Sequence, residues 1–254
     1  MDGSNAYFDS LAEMGFTKHM GGMASTRELL EECHVDGNQH MLDVGCGVGT
    51  IPVHIAKTYG CRVVGVNVTA GMILRCKERA HREGVEALTE FRVADARDLP
   101  FENSTFDVVI CESVVAFVAE KQKAVNEFVR VAKPEGYVGL NESTWVKQPP
   151  QKMTDYFARA LGQNMQTLSE ESWERLLTDA GLSEIAADAH SVTYRGEARN
   201  RLQRMGWAEM GRVFGRFFGI ALTKPEYRQF LTDALSDPRG VIDSLGYGIY
   251  VGRK

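Results

Sequence analysis

The sequence predicts an α/β fold: a doubly wound, mostly parallel seven-stranded sheet, with an N-terminal helical segment and a helical cap inserted near the C-terminus. Short apolar runs alternate with segments of helical periodicity up to residue 143. The run at 106–111 is apolar on both faces, as the buried strands of parallel sheets are. A glycine-rich turn separates the first run from the first helical segment. In such sheets ligands bind at the carboxyl ends of the strands, so functional residues are expected just after each strand.

Seven segments are predicted to be strands because they are short, apolar and bounded by turn residues. They are residues 41–44, 62–66, 91–94, 106–111, 137–141, 183–194 and 247–251. Helical periodicity covers residues 51–59, 70–83, 121–132, 153–164 and 170–180. The stretch at 195–245 is too long for a hairpin loop and is strongly periodic, so we predict that it forms the helical cap.

Composition narrows the class of protein. The 254 residues carry a formal net charge of -5, which disfavours a nucleic-acid partner because phosphate binding needs a surplus of Lys and Arg. No run of about 18 apolar residues occurs, so we expect no membrane partner and no export signal. The five cysteines never form a C-x-x-C pair and the six histidines are scattered, which predicts a cytoplasmic protein with reduced thiols and no metal site.

The glycine turn has the sequence Asp43-Val-Gly-Cys-Gly-Val-Gly49. Glycines between a strand and a helix let the backbone approach a nucleotide-like ligand closely. The spacing is G-x-G-x-G, whereas nicotinamide and flavin sites have G-x-G-x-x-G with a pyrophosphate at the helix N-terminus. The alternative interpretation is a tight turn without a ligand.

At these residues the chain resembles the class I S-adenosylmethionine-dependent methyltransferases, particularly the type 11-like small-molecule group with a Leu-Asp-Val-Gly-Cys-Gly turn. The resemblance spans about residues 40–141. It includes Val64-Gly-Val at the second strand, Asp95-Ala after the third, Leu99-Pro-Phe with Phe106-Asp around the fourth, and Lys133-Pro-Glu-Gly before the fifth. Several motifs that occur in the same order as in the family indicate membership more specifically than a single glycine turn does.

The resemblance implies S-adenosylmethionine as the cofactor and a set of residues that bind it. In the family, the glycine turn contacts the methionine part, an acidic residue after the second strand binds the ribose, and an aspartate after the third meets the adenine. The cofactor residues implied here are Tyr7, Asp43, Gly45, Gly47, Gly49, Asn67, Asp95, Ala96, Glu112 and Ser113. Asn67 departs from the acidic pattern, because an amide lacks the charge-assisted strength of a carboxylate.

The resemblance also implies a division of the chain. Residues 1–39 are expected to form an N-terminal helical lid, in which Tyr7 covers the sulfonium through its π face. Residues 40–145 are expected to form the cofactor-binding core. Residues 146–254 would supply the rest of the sheet and the acceptor cap at about 195–245.

Methyl transfer depends mainly on orienting donor and acceptor, and a base is needed only for a protonated nucleophile. The candidate catalytic residues are His19, Glu112 and Glu142, because His and Glu side chains can exchange protons near neutral pH. Each has a plainer interpretation. His19 would be a surface or packed histidine, and the two glutamates would be solvated loop carboxylates.

The predicted cap contains an arginine stripe formed by Arg201, Arg204, Arg212 and Arg216. A solvated or salt-bridged helix face explains such a stripe, and recognition of an anionic acceptor is the sharper alternative. The predicted function is methyl transfer from S-adenosylmethionine to a small-molecule acceptor by a monomer or homodimer. A nicotinamide-dependent oxidoreductase and a non-catalytic S-adenosylmethionine-binding protein remain as alternatives, and the methylated atom is left open.

Overall fold

The computed structural model describes residues 19–149, 166–191 and 244–254. The strands in these ranges are β1 His40–Val44, β2 Arg62–Asn67, β3 Thr89–Val93, β4 Phe106–Glu112, β5 Ala132–Trp145, β6 Leu168–Ser169, β7 Ser183–Ser191 and β8 Leu245–Arg253. The helices are α1 Gly22–Glu32, α2 Thr50–Tyr59, α3 Ala70–Glu83, α4 Lys121–Val131 and α5 Glu170–Asp179. None of the helices in the described ranges is long and apolar enough to cross a bilayer.

The strands form one sheet in the order β3-β2-β1-β4-β5-β8-β7, and the short β6 pairs with β5 outside this path. All neighbouring strands are parallel except β8, which runs antiparallel to both β5 and β7. The chain crosses to opposite sides of β1 when it forms β2 and β4. A crevice for a ligand is expected at such a switch point, outside the carboxyl end of β1.

Helices cover both faces of the sheet. On one face, α4 and α5 bury Phe128, Trp173 and Leu177 against strand residues such as Val109. On the other face, α1 and α2 bury a second cluster that contains Leu29, Leu30, Ile55, Met41 and Ile110. Because successive strand residues point to opposite faces, β1 and β4 contribute to both clusters, which explains why most of their residues are apolar.

The predicted doubly wound, mostly parallel sheet is confirmed, and the differences lie at element boundaries. β5 begins at Ala132, where the sequence predicted the end of a helix and a Pro-Glu-Gly turn. The C-terminal residue extends this strand, since Lys254 donates to the carbonyl of Gly136 and accepts from the amide of Glu135, both at 2.9 Å. The two-residue β6 is an additional strand that the sequence did not predict.

Several predicted features lie outside the described residues. They are residues 1–18 of the predicted lid, including Tyr7, the helix at 153–164 and almost all of the cap at 195–245, including the arginine stripe. These features and the boundaries between the three predicted segments stay predictions.

Candidate functional site

The glycine turn occupies the switch point of the sheet. The amides of Gly45 and Cys46 both donate to the carbonyl of Val66 at the end of β2, at 2.8 and 3.0 Å. Gly45, Gly47 and Gly49 all have positive φ angles, of 83°, 54° and 78°. A side chain at these positions would be strained, so the turn needs glycine for its backbone conformation.

The turn is also closely packed, from two sides. A Cβ atom on Gly45 would lie 2.2 Å from a methyl of Val114, in the loop after β4. From α3, the Cys76 thiol donates to the Gly47 carbonyl at 3.2 Å and Arg79 Nε donates to the Val48 carbonyl at 2.9 Å. The turn is therefore held in place by contacts with α3 and with the loop after β4.

Asp43 lies directly before the turn and is only 3% exposed. Burial, and secondly the charge of Glu112, raise the pKa of Asp43 well above its usual range. Its Oδ2 atom has no hydrogen-bond partner among the described residues. An unpartnered buried carboxylate oxygen is costly unless a ligand donates to it, so this atom is suited to an ammonium or N–H group of a bound molecule.

Asn67 and Asp95 follow the ends of β2 and β3 and are already engaged within the protein. Asn67 Oδ1 accepts the amide of Thr69 at 3.0 Å at the start of α3, so the amide Nδ2 is the atom left to meet a ribose hydroxyl. Both carboxylate oxygens of Asp95 accept from Arg97, with the shortest bond 2.7 Å to Nη2. These hydrogen bonds lower the pKa of Asp95.

Glu112 is the centre of a polar network at the carboxyl end of β4. Its carboxylate accepts the Thr26 hydroxyl at 3.0 Å and the Asn141 side-chain amide at 2.8 Å. Asn141 also donates to the Ser25 hydroxyl at 3.0 Å. The network ties α1 to the end of β4 and to the middle of β5 and holds the Glu112 carboxylate, whose side chain is only 5% exposed.

His19 reaches this carboxylate through Thr26. Its Nε2 atom lies 3.0 Å from the Thr26 hydroxyl oxygen and 3.8 Å from Glu112 Oε2. A hydroxyl has a single hydrogen, and here the hydrogen is directed to the carboxylate, which as an ion can only accept. The His19 Nε2 atom must therefore donate to Thr26, which leaves Nδ1 as the ring atom able to accept a proton.

Glu142 lies apart from His19 and Glu112. It is fully buried, and its carboxylate accepts the amides of Val114 and Val115 at 2.8 and 2.7 Å and that of Ala116 at 3.3 Å. Burial raises the pKa of Glu142 to about 7, although these amides and Lys121 act in the opposite direction. Of the three candidate catalytic residues, the structure brings together His19 and Glu112 only.

Two further residues predicted to bind the cofactor, Ser113 and Ala96, lie after β4 and β3. Ser113 adopts a positive φ of 57°, and its amide donates to the carbonyl of Asn141 at 2.7 Å. Ala96 is buried after β3. The sequence analysis missed Ser25, Thr26 and Asn141 as site residues. Asn141 could have been predicted as a site residue, because it ends the fifth predicted strand, beside Glu112. Nothing in the sequence indicated that α1 contacts the strands at this position.

One juxtaposition outside this site was also not predicted. Glu28 on α1 and Asp188 and His190 on β7 place one potential ligand atom each within 4.8 Å of one another. His190 Nε2 lies 2.9 Å from a Glu28 oxygen, and its ring stacks on Tyr247 at 4.9 Å between centroids. All three side chains are partly or fully exposed, and the ion pair and the ring contact account for their arrangement.

The region of the chain that contains the glycine turn is also the region that matches a known protein family. Residues 42–140 match a family model described as a methyltransferase domain. Phosphoethanolamine N-methyltransferase 1 of Zea mays is 30% identical over 185 residues, which cover 72% of this chain and 36% of that protein. The chain thus spans about a third of the length of this plant relative.

Two solved structures share the fold. Phosphoethanolamine N-methyltransferase 2 of Haemonchus contortus, bound to phosphomonomethylethanolamine and S-adenosylhomocysteine, has a TM-score of 0.73 at 20% identity, covering 97% of this chain and 57% of that one. The 4+2 cyclase SpnF has a TM-score of 0.72 at 22% identity, covering 91% of this chain and 79% of that one. The glycine turn, the strand order and the domain match agree. Residues 42–140 are therefore similar in sequence to a methyltransferase domain, and the described sheet has the fold of the two solved structures.

Proposed function

We propose that this chain transfers a methyl group from S-adenosylmethionine to a small-molecule amine, with His19 as the base and Glu112, Thr26 and Asn141 orienting it. The observation that carries the proposal is the hydrogen-bonded chain from His19 through Thr26 to Glu112, the residue after Cys111, which pairs with Val44 directly before the glycine turn. Catalysis of methyl transfer needs the acceptor to be positioned, and an amine acceptor must also lose a proton.

The residues around the crevice fit the cofactor. The positive φ angles of Gly45, Gly47 and Gly49 leave the backbone open to a close ligand. The unpartnered Oδ2 of Asp43 suits an amino group, and Asn67 Nδ2 and Asp95 suit the ribose and adenine. When bound, S-adenosylmethionine supplies a methyl group activated by the adjacent sulfonium.

His19 and Glu112 would then handle the proton of the acceptor. Because Nε2 is held by Thr26, the imidazole presents Nδ1 as the atom that takes the proton from the amine. The resulting imidazolium is stabilised by the Glu112 carboxylate, since the two side chains lie 3.8 Å apart and little exposed. Glu112 thus has an orienting and electrostatic role, and His19 is the group that touches the acceptor.

The choice of an amine has two supports. The Zea mays and Haemonchus contortus relatives are both N-methyltransferases by name, with phosphoethanolamine as the named substrate. In addition, a buried anionic carboxylate attracts a protonated amine to the site. The fold by itself does not specify the reaction, because the cyclase SpnF has the same architecture. The arginine stripe of the cap would favour a phosphate or carboxylate on the amine, a prediction that concerns residues outside the described ranges.

The test is a screen for S-adenosylhomocysteine release with panels of amines, alcohols, thiols and carbon acids. Turnover with an amine is expected, and His19→Gln should lower its kcat at least about tenfold with little change in cofactor affinity. His81→Gln, at an exposed position on α3, is the control. Turnover confined to another class of acceptor would contradict the amine assignment, and stabilisation by a nicotinamide cofactor alone would restore the oxidoreductase alternative.

A further inference from the structure

Two buried ionisable residues hold the loop after β4. One binds backbone amides of the loop, and the other binds backbone carbonyls. On the amide side, the Glu142 carboxylate accepts three successive N–H groups, those of residues 114–116. On the carbonyl side, Lys121 Nζ donates to Ala116 O at 3.0 Å and to Val118 O at 2.8 Å. Glu142 is fully buried and Lys121 is 7% exposed.

This arrangement gives hydrogen-bond partners to buried polar groups whose burial would otherwise destabilise the fold. A buried carboxylate without partners is strongly destabilising, and successive backbone amides at the start of a helical turn form a suitable anion site. The amides bound by Glu142 belong to the start of the short 3-10 helix at Val115–Phe117. The Lys121 ammonium in turn binds carbonyls at the end of this loop, so the two charges hold opposite ends of one short backbone segment.

The same segment contacts the glycine turn. The side chain of Val114 fills the space directly against Gly45, where an added Cβ would meet its methyl at 2.2 Å. A shift of the loop by even a small distance would therefore move the wall of the cofactor crevice. No hydrogen bond links Glu142 to His19, Glu112 or Thr26 in the described ranges.

We infer that Glu142 is a positioning residue, which together with Lys121 fixes residues 113–118 against the glycine turn and thereby sets the affinity for S-adenosylmethionine. It does not act as the base. The part of this inference that concerns cofactor affinity rests on the proposed function, whereas the anchoring of the loop does not. The two parts can be tested separately.

The experiment compares the wild-type chain with Glu142→Gln. The glutamine oxygen can still accept the amides of Val114 and Val115, but its NH2 group would face the Ala116 amide, donor against donor. We expect amide hydrogen exchange of residues 114–116 to become at least about tenfold faster. Calorimetry should show S-adenosylhomocysteine binding weakened by a similar factor, while kcat at saturating cofactor changes much less.

Thr144→Val is the matched control, because Thr144 is equally buried on β5 and its hydroxyl bonds to the backbone carbonyl of Glu142 at 3.1 Å and to the Tyr250 hydroxyl at 2.8 Å, but not to the loop. Its loop exchange and cofactor binding should match the wild type. If Glu142→Gln does not fold, Lys121→Met, which removes only the carbonyl-side anchor, is expected to act in the same direction.

The outcomes are distinct. Unchanged exchange and unchanged S-adenosylhomocysteine binding in Glu142→Gln, with a collapse of kcat, would overturn the inference and make Glu142 a candidate base. Equal acceleration of exchange in Thr144→Val would overturn it as well. If the wild type binds no S-adenosylhomocysteine, the proposed function fails, and the exchange measurement still decides whether Glu142 anchors the loop.

Discussion

The Asn141 side-chain amide donates a hydrogen bond of 2.8 Å to Glu112 Oε2, across a directly paired position of β4 and β5. Asn141 is fully buried, and its second amide hydrogen is directed to Ser25 on α1. One amide group therefore connects the N-terminal helix to the residue at the centre of the proposed site. Because both donors are used, the orientation of Glu112 depends on an amide at this position.

Replacing Asn141 with Asp should disrupt the site while keeping the shape of the side chain. Two carboxylates would then face each other at hydrogen-bond distance, so one of them would have to hold a proton. We expect the free energy of unfolding to fall by about 1–3 kcal/mol and kcat/KM to fall at least about tenfold. Urea unfolding and steady-state kinetics measure the two effects. Asn126→Asp, at an exposed position of α4, is the control. Kinetics equal to the wild type would show that the Asn141–Glu112 contact has no functional role.

Much of the fold could be predicted because it depends on local patterns. The strands β1, β2 and β4 are short and mostly apolar, and α3 covers residues 70–83 as its sequence predicts. The limits of β5 could not be predicted, since its first residues become strand through distant pairings: Ala132 pairs with Phe106 of β4, and Glu135 and Gly136 exchange backbone hydrogen bonds with Lys254. The contact with Lys254 is between residues more than a hundred positions apart.

The site was predictable to the extent that it follows the strand ends. The glycine turn could be recognised from its place between a strand and a helix, and the family resemblance implied Asp43 and Glu112. The partners of these residues were not, because they come from α1 and from neighbouring strands. No pattern in the sequence indicated that Arg97 donates to both oxygens of Asp95, or that Asn67 Oδ1 accepts an amide at the start of α3. Glu112 and Glu142 likewise differ in their burial and in their hydrogen-bond partners, which the sequence does not reveal.

Gly45 and Gly60 provide a matched pair for testing the glycine turn. Both have strongly positive φ angles, 83° and 78°, but nothing lies within 4 Å of a Cβ at Gly60, whereas Val114 blocks one at Gly45. Gly60→Ala should therefore cost about 1 kcal/mol of unfolding free energy, from backbone strain alone. Gly45→Ala should cost clearly more and should abolish the thermal stabilisation by S-adenosylhomocysteine. Equal losses in the two variants would mean that the contact with Val114 is unimportant.

The free energy of unfolding should decrease as the pH rises, because of the titration of Glu142. Burial raises its pKa in the folded state to about 7, from an ordinary value of 4.5 in the unfolded chain. Between these values the folded state binds a proton that the unfolded state has released, so the free energy of unfolding falls as the pH rises. The contribution is complete below about pH 4.5 and lost by about pH 7, with a size on the order of 3 kcal/mol.

The measurement is the difference in unfolding free energy between the wild type and Glu142→Gln from pH 4.5 to 7.5. The variant lacks the titrating group, so the stability of the wild type relative to the variant should decrease as the pH rises. Lys121 titrates higher, because burial lowers its pKa to about 8, and it contributes little in this range. A difference that is constant with pH would mean that Glu142 has the same proton affinity in both states.

Thr26 offers the sharpest test of the proposed relay, because its hydroxyl joins His19 to Glu112 at 3.0 Å on each side. Thr26→Val keeps the branched shape but removes the hydroxyl that, among the described residues, accepts from His19 Nε2. The imidazole can then take the other tautomer, in which Nδ1 holds the proton and cannot act as the base. We expect kcat to fall about tenfold or more, with S-adenosylhomocysteine affinity little changed. Thr26→Ser keeps the hydroxyl and should retain most of the activity. If the valine and serine variants are equally active, the proton does not pass through an oriented His19, and the base lies elsewhere.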